Sequence, residues 1–201
     1  MIKIAIIDDN ASERTVLKGL VEESGFAVVA EGASGQDALD ICRLKAPDLV
    51  IMDVRMPVKG GVKGGIEATT EINRLCPTPV VLLTASDDED TISRAVEAGV
   101  MGYMVKPVRQ EDIIPAVKLA MSRFLEFDIL KRENRDLKNS LLARKAIEKA
   151  KGLLMEKEGL SEAAAFARIR KISMDKRQSM TDIAEIIITA LEDKKTVMRD
   201  A

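Results

Sequence analysis

Short apolar runs alternate with stretches of helical spacing through the first part of this chain. Ile2–Ile7, Ala27–Ala30, Leu49–Met52, Pro79–Leu83 and Gly102–Val105 read as strands. Ser12–Ser24, Gly35–Leu44, Ile66–Leu75, Asp88–Ala98 and a segment from about Glu111 read as helices. Strand followed by helix, five times over, implies an α/β domain: a five-stranded parallel, doubly wound sheet covered on both faces.

That architecture sorts the polar residues. Asp8, Asp9, Asp53, Thr84 and Lys106 all stand at carboxyl ends of strands, and right-handed crossovers bring strands one, three, four and five to a common edge. An acid after Leu49-Val-Ile-Met52 is tolerated where the strand meets solvent or a cation, although Asp53 could also simply open a turn before Pro57. Carboxylates held together repel and raise one another's pKa unless a hard divalent cation sits among them, and water-rich coordination by few carboxylates suits Mg²⁺. An Asp beside a cation, an ammonium and a hydroxyl is a set of groups that could receive a phosphoryl group.

Composition narrows the possibilities. The 201 residues allow one full domain and a smaller one. Charge is nearly balanced overall but divided: 18 basic and 23 acidic residues precede Arg144, and 13 basic and 10 acidic follow from it, giving −5 then +3. That split suits an acidic cation-binding module joined to one that tolerates an anionic partner. The absence of histidine excludes histidine general bases, histidine metal sites and a phosphocarrier histidine, which argues against a free-standing phosphotransfer enzyme. Cys42 and Cys76 fit no metal or redox spacing and read as reduced core thiols. The first residues are too short for a signal segment and no run approaches membrane-spanning length, so a cytoplasmic protein without membrane contact is expected.

The motifs are more specific than the composition. Asp8-Asp9, Asp53 followed by Met56-Pro57, Thr84-Ala85, and Lys106-Pro107 with Tyr103 three residues earlier resemble the receiver domain of bacterial response regulators, over about Met1 to Met121. The resemblance implies a signalling regulator rather than an enzyme. It makes Asp53 the phosphoacceptor for a sensor histidine kinase, and Asp8, Asp9, Asp53 and the backbone carbonyl of Arg55 the Mg²⁺ ligands. It assigns Thr84 and Lys106 to the phosphoryl oxygens, a cis bond to Lys106–Pro107, and a rotamer switch to Tyr103; the alternative for Tyr103 alone is an edge-strand aromatic. One departure stands out: Val58-Lys-Gly-Gly61 is followed by Val62-Lys-Gly-Gly65, a tandem duplication whose four glycines suggest a mobile rim beside Asp53.

Beyond the receiver-like part, residues 1–120, the pattern becomes a long helix. Ala120, Phe127, Asn134 and Leu141 fall at a positions and Leu130 and Leu137 at d, a seam that suggests a coiled-coil stalk over 121–143. A single Asn at a favours parallel register; the alternative is an amphipathic helix packed on its own domain. Residues 144–201 read as a small three-helix domain: Ala146–Lys157, Ser161–Ile172 and Thr181–Leu191, with a core from Ile147, Leu154, Phe166, Ile169, Ile172, Ile183 and Ile187.

Arg144-Lys-Ala-Ile147, Ala150-Lys-Gly152, Gly159-Leu-Ser-Glu162, Ala164-Ala-Phe166 and Asp182-Ile-Ala184 resemble the ANTAR domain, the RNA-binding output of antitermination regulators, over Ala143 to Leu191. The resemblance implies a phosphorylation-dependent regulator that binds RNA hairpins in nascent transcripts, and the heptad seam suggests a homodimer through Phe127, Leu130, Asn134, Leu137 and Leu141. Arg144, Lys145, Lys149, Lys151, Arg168, Arg170 and Lys171 would supply phosphate contacts, unless they form only a solvated basic face. The alternative is a helical output that binds a protein or DNA.

Overall fold

The computed structural model describes residues 1–57, 64–85 and 89–197. The chain divides into two compact units, Met1–Asp128 and Ile129–Ala201. In the first, β1 (Lys3–Ile7), α1 (Ala11–Glu23), β2 (Ala27–Gly32), α2 (Gly35–Lys45), β3 (Leu49–Asp53), α3 (Gly64–Leu75), β4 (Val80–Thr84), α4 (Glu89–Glu97) and β5 (Gly102–Val105) alternate as expected. All strand pairs are parallel, in the order β2-β1-β3-β4-β5. Because β2 lies on one side of β1 and β3 on the other, the winding reverses between β1 and β3, and the cleft at their carboxyl ends is where such sheets hold ligands.

Period-two alternation explains both layers. Ala5 and Ile7, Val50 and Met52, and Val80 and Leu82 face a core completed by Ala38, Leu39 and Cys42 of α2, Ile66, Ala68 and Ile72 of α3, and Ala95 of α4. Ile4 and Ile6, Leu49 and Ile51, and Val81 and Leu83 face the other core, with Leu17 and Val21 of α1. A strand buried on both faces must be apolar at every position, as the runs in β1, β3 and β4 are.

The expected rim beside Asp53 is partly corrected. Gly64 and Gly65 open α3 and are buried. Gly64 takes φ of 73°, and a Cβ on Gly65 would collide with the carbonyl oxygen of Asp53, so these glycines bring the helix start against β3. The rest of the duplicated loop, residues 58–63, lies outside the described residues.

α5 runs unbroken from Gln110 to Glu158. The helix expected separately over Ala146–Lys157 is therefore its last part. Nothing in Leu141-Leu-Ala-Arg-Lys-Ala-Ile147 stops a helix; only the apolar pattern changes there. Ile113, Val117 and Ala120 complete the α1 side of the receiver-like core, so Ala120 belongs to that core and not to the seam. Further along, Phe127, Leu130, Leu137 and Leu141 are all exposed, as is Asn134.

In the second unit α6 (Glu162–Lys176) starts at the expected cap, Ser161, whose hydroxyl accepts from the Ala164 N–H. It ends on Arg177 in left-handed conformation, and α7 covers Met180–Val197. Ala150, Leu154, Ala165, Ile169, Ile183 and Ala184 are buried together, with Ile147, Ile172 and Ile187 packed beside them. Phe166 is not among them. It is 43% exposed, because Ala165 and Ile169 occupy the inward stripe of α6 and the next position is turned about 100° away.

Candidate functional site

The carboxyl edge of the sheet gathers four of the expected residues, and the nitrogen of one of them holds two others. Lys106, just past β5, places Nζ 2.6 Å from Asp53 Oδ1 and 2.9 Å from Asp8 Oδ2. Asp8 is buried at the tip of β1, where its Oδ1 accepts from the Asn10 N–H at 2.8 Å. Asp53 is 7% exposed, and its other oxygen accepts from the Arg55 N–H at 2.7 Å. Thr84, buried, ends β4 beside them in the parallel register that pairs Asp53 with Leu83. The Lys106–Pro107 bond is cis.

A fifth residue completes this arrangement. Glu13, in the first turn of α1, brings Oε2 to 2.7 Å from Lys106 Nζ. An acid in a first helical turn ordinarily reads as a partner of the helix dipole, which hid this contact in the sequence. The visible signal was its position five residues after Asp8, one turn into a helix that starts at the same sheet edge.

Burial raises the Asp53 carboxyl above its ordinary value; Lys106 and the Arg55 N–H oppose the shift, and the charge of Asp8 adds to it. Burial disfavours the Lys106 ammonium, but its bonds to Asp53, Asp8 and Glu13 outweigh that and raise its pKa. Glu13 is held below the usual carboxylate range by Lys106. Three carboxylates surround one ammonium, and their hard oxygens are a donor chemistry that fits Mg²⁺. Asp8 and Asp53 fit that role by converging on one point. Asp9 is exposed, and among the described residues no three acids stand together in a metal-holding group. Tyr103 is exposed on β5.

In the second unit the expected basic residues divide. Lys151 is 7% exposed, with Nζ 3.0 Å from Glu148 Oε2 and 2.7 Å from Glu162 Oε1; it clamps α5 to the start of α6 and is not a free phosphate contact. Lys149 pairs with Glu192 at 2.7 Å, and Arg168 pairs with Glu158. Arg144, Lys145, Arg170 and Lys171 are exposed. Among the described residues no helix is long and apolar enough to cross a membrane.

Comparison with known proteins follows the same division. The response regulator receiver domain matches residues 4–118 and the ANTAR domain residues 135–188. The transcriptional regulatory protein PdtaR of Mycobacterium tuberculosis is 41% identical over 193 residues, which cover 96% of this chain and 92% of that protein. A LuxR-family response regulator from Aurantimonas sp. SI85-9A1 superposes with a TM-score of 0.54 at 31% identity, over 60% of this chain and 84% of its own. The receiver domain of the response regulator NarL from M. tuberculosis does so at 0.56 and 25% identity, over 60% and 96%.

Proposed function

This chain belongs to the response regulators, as a receiver domain joined to an ANTAR domain, an RNA-binding antitermination regulator, and on that premise we propose how its residues carry the signal. Asp53 is the phosphoacceptor. The observation that carries this is the Lys106 ammonium held between Asp8 and Asp53 at the reversal point of the sheet. An oxygen of Asp53 forms a bond to phosphorus as the donor's bond to phosphorus breaks, and the leaving group departs with that electron pair. Lys106 and the Thr84 hydroxyl donate to the phosphoryl oxygens, and Tyr103 changes rotamer as Thr84 moves. Asp8, Asp9, Asp53 and the Arg55 carbonyl would hold Mg²⁺, which when bound neutralises charge on the transferred group.

The donor is the phosphohistidine of a sensor kinase, the partner that a receiver domain implies. A cavity of about 560 Å³ beside Lys106, lined by Val16, Leu17, Leu20, Pro107 and Val108, offers such a partner apolar surface next to the acceptor. The regulator works in the cytoplasm, and phosphorylation favours a homodimer through Phe127, Leu130, Asn134, Leu137 and Leu141.

On the output domain Arg144, Lys145, Arg170 and Lys171 contact RNA phosphates. Lys149 and Arg168 join them only by releasing Glu192 and Glu158. The exposed ring of Phe166 supports stacking of an unpaired loop base. Gel retention of an RNA hairpin against duplex DNA, with phosphorylated and unphosphorylated protein, tests this reading. Phosphorylation-enhanced retention of the hairpin alone is expected; preference for the duplex contradicts it.

A further inference from the structure

Glu13 has no part in the mechanism above, yet it shares the ammonium that the mechanism uses. Its two oxygens are both engaged: Oε2 accepts from Lys106 Nζ at 2.7 Å, and Oε1 from Asn10 Nδ2 at 3.0 Å. Asn10 is itself the cap of α1, its side chain accepting from the Ser12 and Glu13 N–H groups. The carboxylate is thus oriented toward Lys106 by the helix start, although half of the side chain remains exposed. An ammonium has three N–H donors. Here they face three carboxylates, those of Asp53, Asp8 and Glu13.

We propose that Glu13 is a positioning residue that restrains phosphoryl transfer to Asp53 by holding Lys106 in this three-carboxylate cradle. The inference rests on Asp53 being the acceptor. When Asp53 attacks acetyl phosphate, its oxygen bonds to phosphorus, the bond from phosphorus to the acetyl oxygen breaks, and acetate leaves with the electron pair. The transferred group needs hydrogen-bond donors for its peripheral oxygens. The donor facing Asp53 passes readily to the new group, but Glu13 keeps another and so holds the ammonium back from the transferred oxygens. Asp8 cannot be spared in the same way, because it is buried and needs a counter-charge. Glu13 reaches the ammonium from partly solvated surface and is the dispensable partner.

The test is the rate of phosphorylation of the full-length chain by acetyl phosphate with Mg²⁺, followed by intact mass. Glu13→Gln is expected to react roughly fivefold faster, the size of one unit-charge contact in a water-like dielectric. In a Lys106→Ala background the same substitution is expected to change nothing, since its effect runs through that ammonium. An unchanged rate in Glu13→Gln overturns the inference, as does an acceleration that persists without Lys106. Should Lys106→Ala take up no phosphate, the ¹⁵Nζ resonance of Lys106 decides: Glu13→Gln must shift it, and an unshifted signal overturns the proposal. Label retained by Asp53→Asn would instead remove the acceptor reading beneath it.

Discussion

Replacing Leu130 and Leu137 together by glutamate strips the stalk of its two d-position leucines without touching the core of either unit. In the single chain these side chains are 63% and 66% exposed. Burying a leucine fully is worth roughly 1.5–3 kcal/mol, so covering the remaining two thirds contributes about 1–2 kcal/mol each and about 4–8 kcal/mol over the four leucines of a dimer. Glutamates facing one another across the seam would add repulsion. A loss of that size weakens self-association by at least about a thousandfold. Two output domains tied together gain roughly 10² to 10⁴ in avidity on paired RNA sites, and that gain disappears with the seam. Sedimentation of the phosphorylated protein, with RNA titrations at two salt concentrations, measures both. The expected result is a monomer whose affinity for a two-hairpin RNA falls by about two orders of magnitude or more, while affinity for one hairpin stays within about twofold. Equal losses on both RNAs, with the oligomeric state unchanged, would refute the stalk's role and leave it a spacer. Asn134→Leu should act oppositely, tightening association and weakening its dependence on phosphate.

Thr84→Ala should still accept phosphate from acetyl phosphate but lose the gain in RNA retention, read by gel shift of the labelled variant. Ile169→Ala, which empties a fully buried position of the output core, should cost about 2–5 kcal/mol in that unit's chemical denaturation. Lys151→Ala should also lower the unit's melting temperature, by removing the buried stem together with the cation that Glu148 and Glu162 share, whereas Arg170→Ala should weaken RNA binding and leave the melting curve in place. Because the Asp53 carboxyl is raised from 3.8 in the folded state, its protonated form is favoured there; the stability it contributes is complete below that value and is lost as pH rises through the folded pKa. Asp53→Asn should therefore be more stable than wild type at pH about 7 in EDTA, and the difference should vanish by about pH 3.5, checked by urea midpoints.

The receiver fold was legible because strands buried on both faces must be apolar throughout, and β1, β3 and β4 are. Asp8, Asp53, Thr84 and Lys106 could be placed at one edge for the same reason: strand ends locate them. What escaped depends on side chains meeting across turns. The ion triad of Lys151 needs Glu162, eleven residues on and beyond a helix break, so a basic run could not reveal that this lysine points inward. Phe166 was misplaced by weighting size over phase; the small Ala165 holds the buried stripe. The continuity of α5 through Ala146 was hidden by a change in pattern that carries no helix stop.

In the function proposed above, phosphorylation at Asp53 is the event from which every later step follows. Incubating the full-length chain with acetyl phosphate and Mg²⁺, then trapping and mapping the modified residue by peptide mass spectrometry, tests it directly. The expected result is one phosphate labile to acid, base and hydroxylamine on the peptide containing Asp53, absent from Asp53→Asn and accompanied in wild type by increased RNA-hairpin retention. A phosphate mapped elsewhere, or hairpin retention that rises equally in Asp53→Asn, would contradict the account.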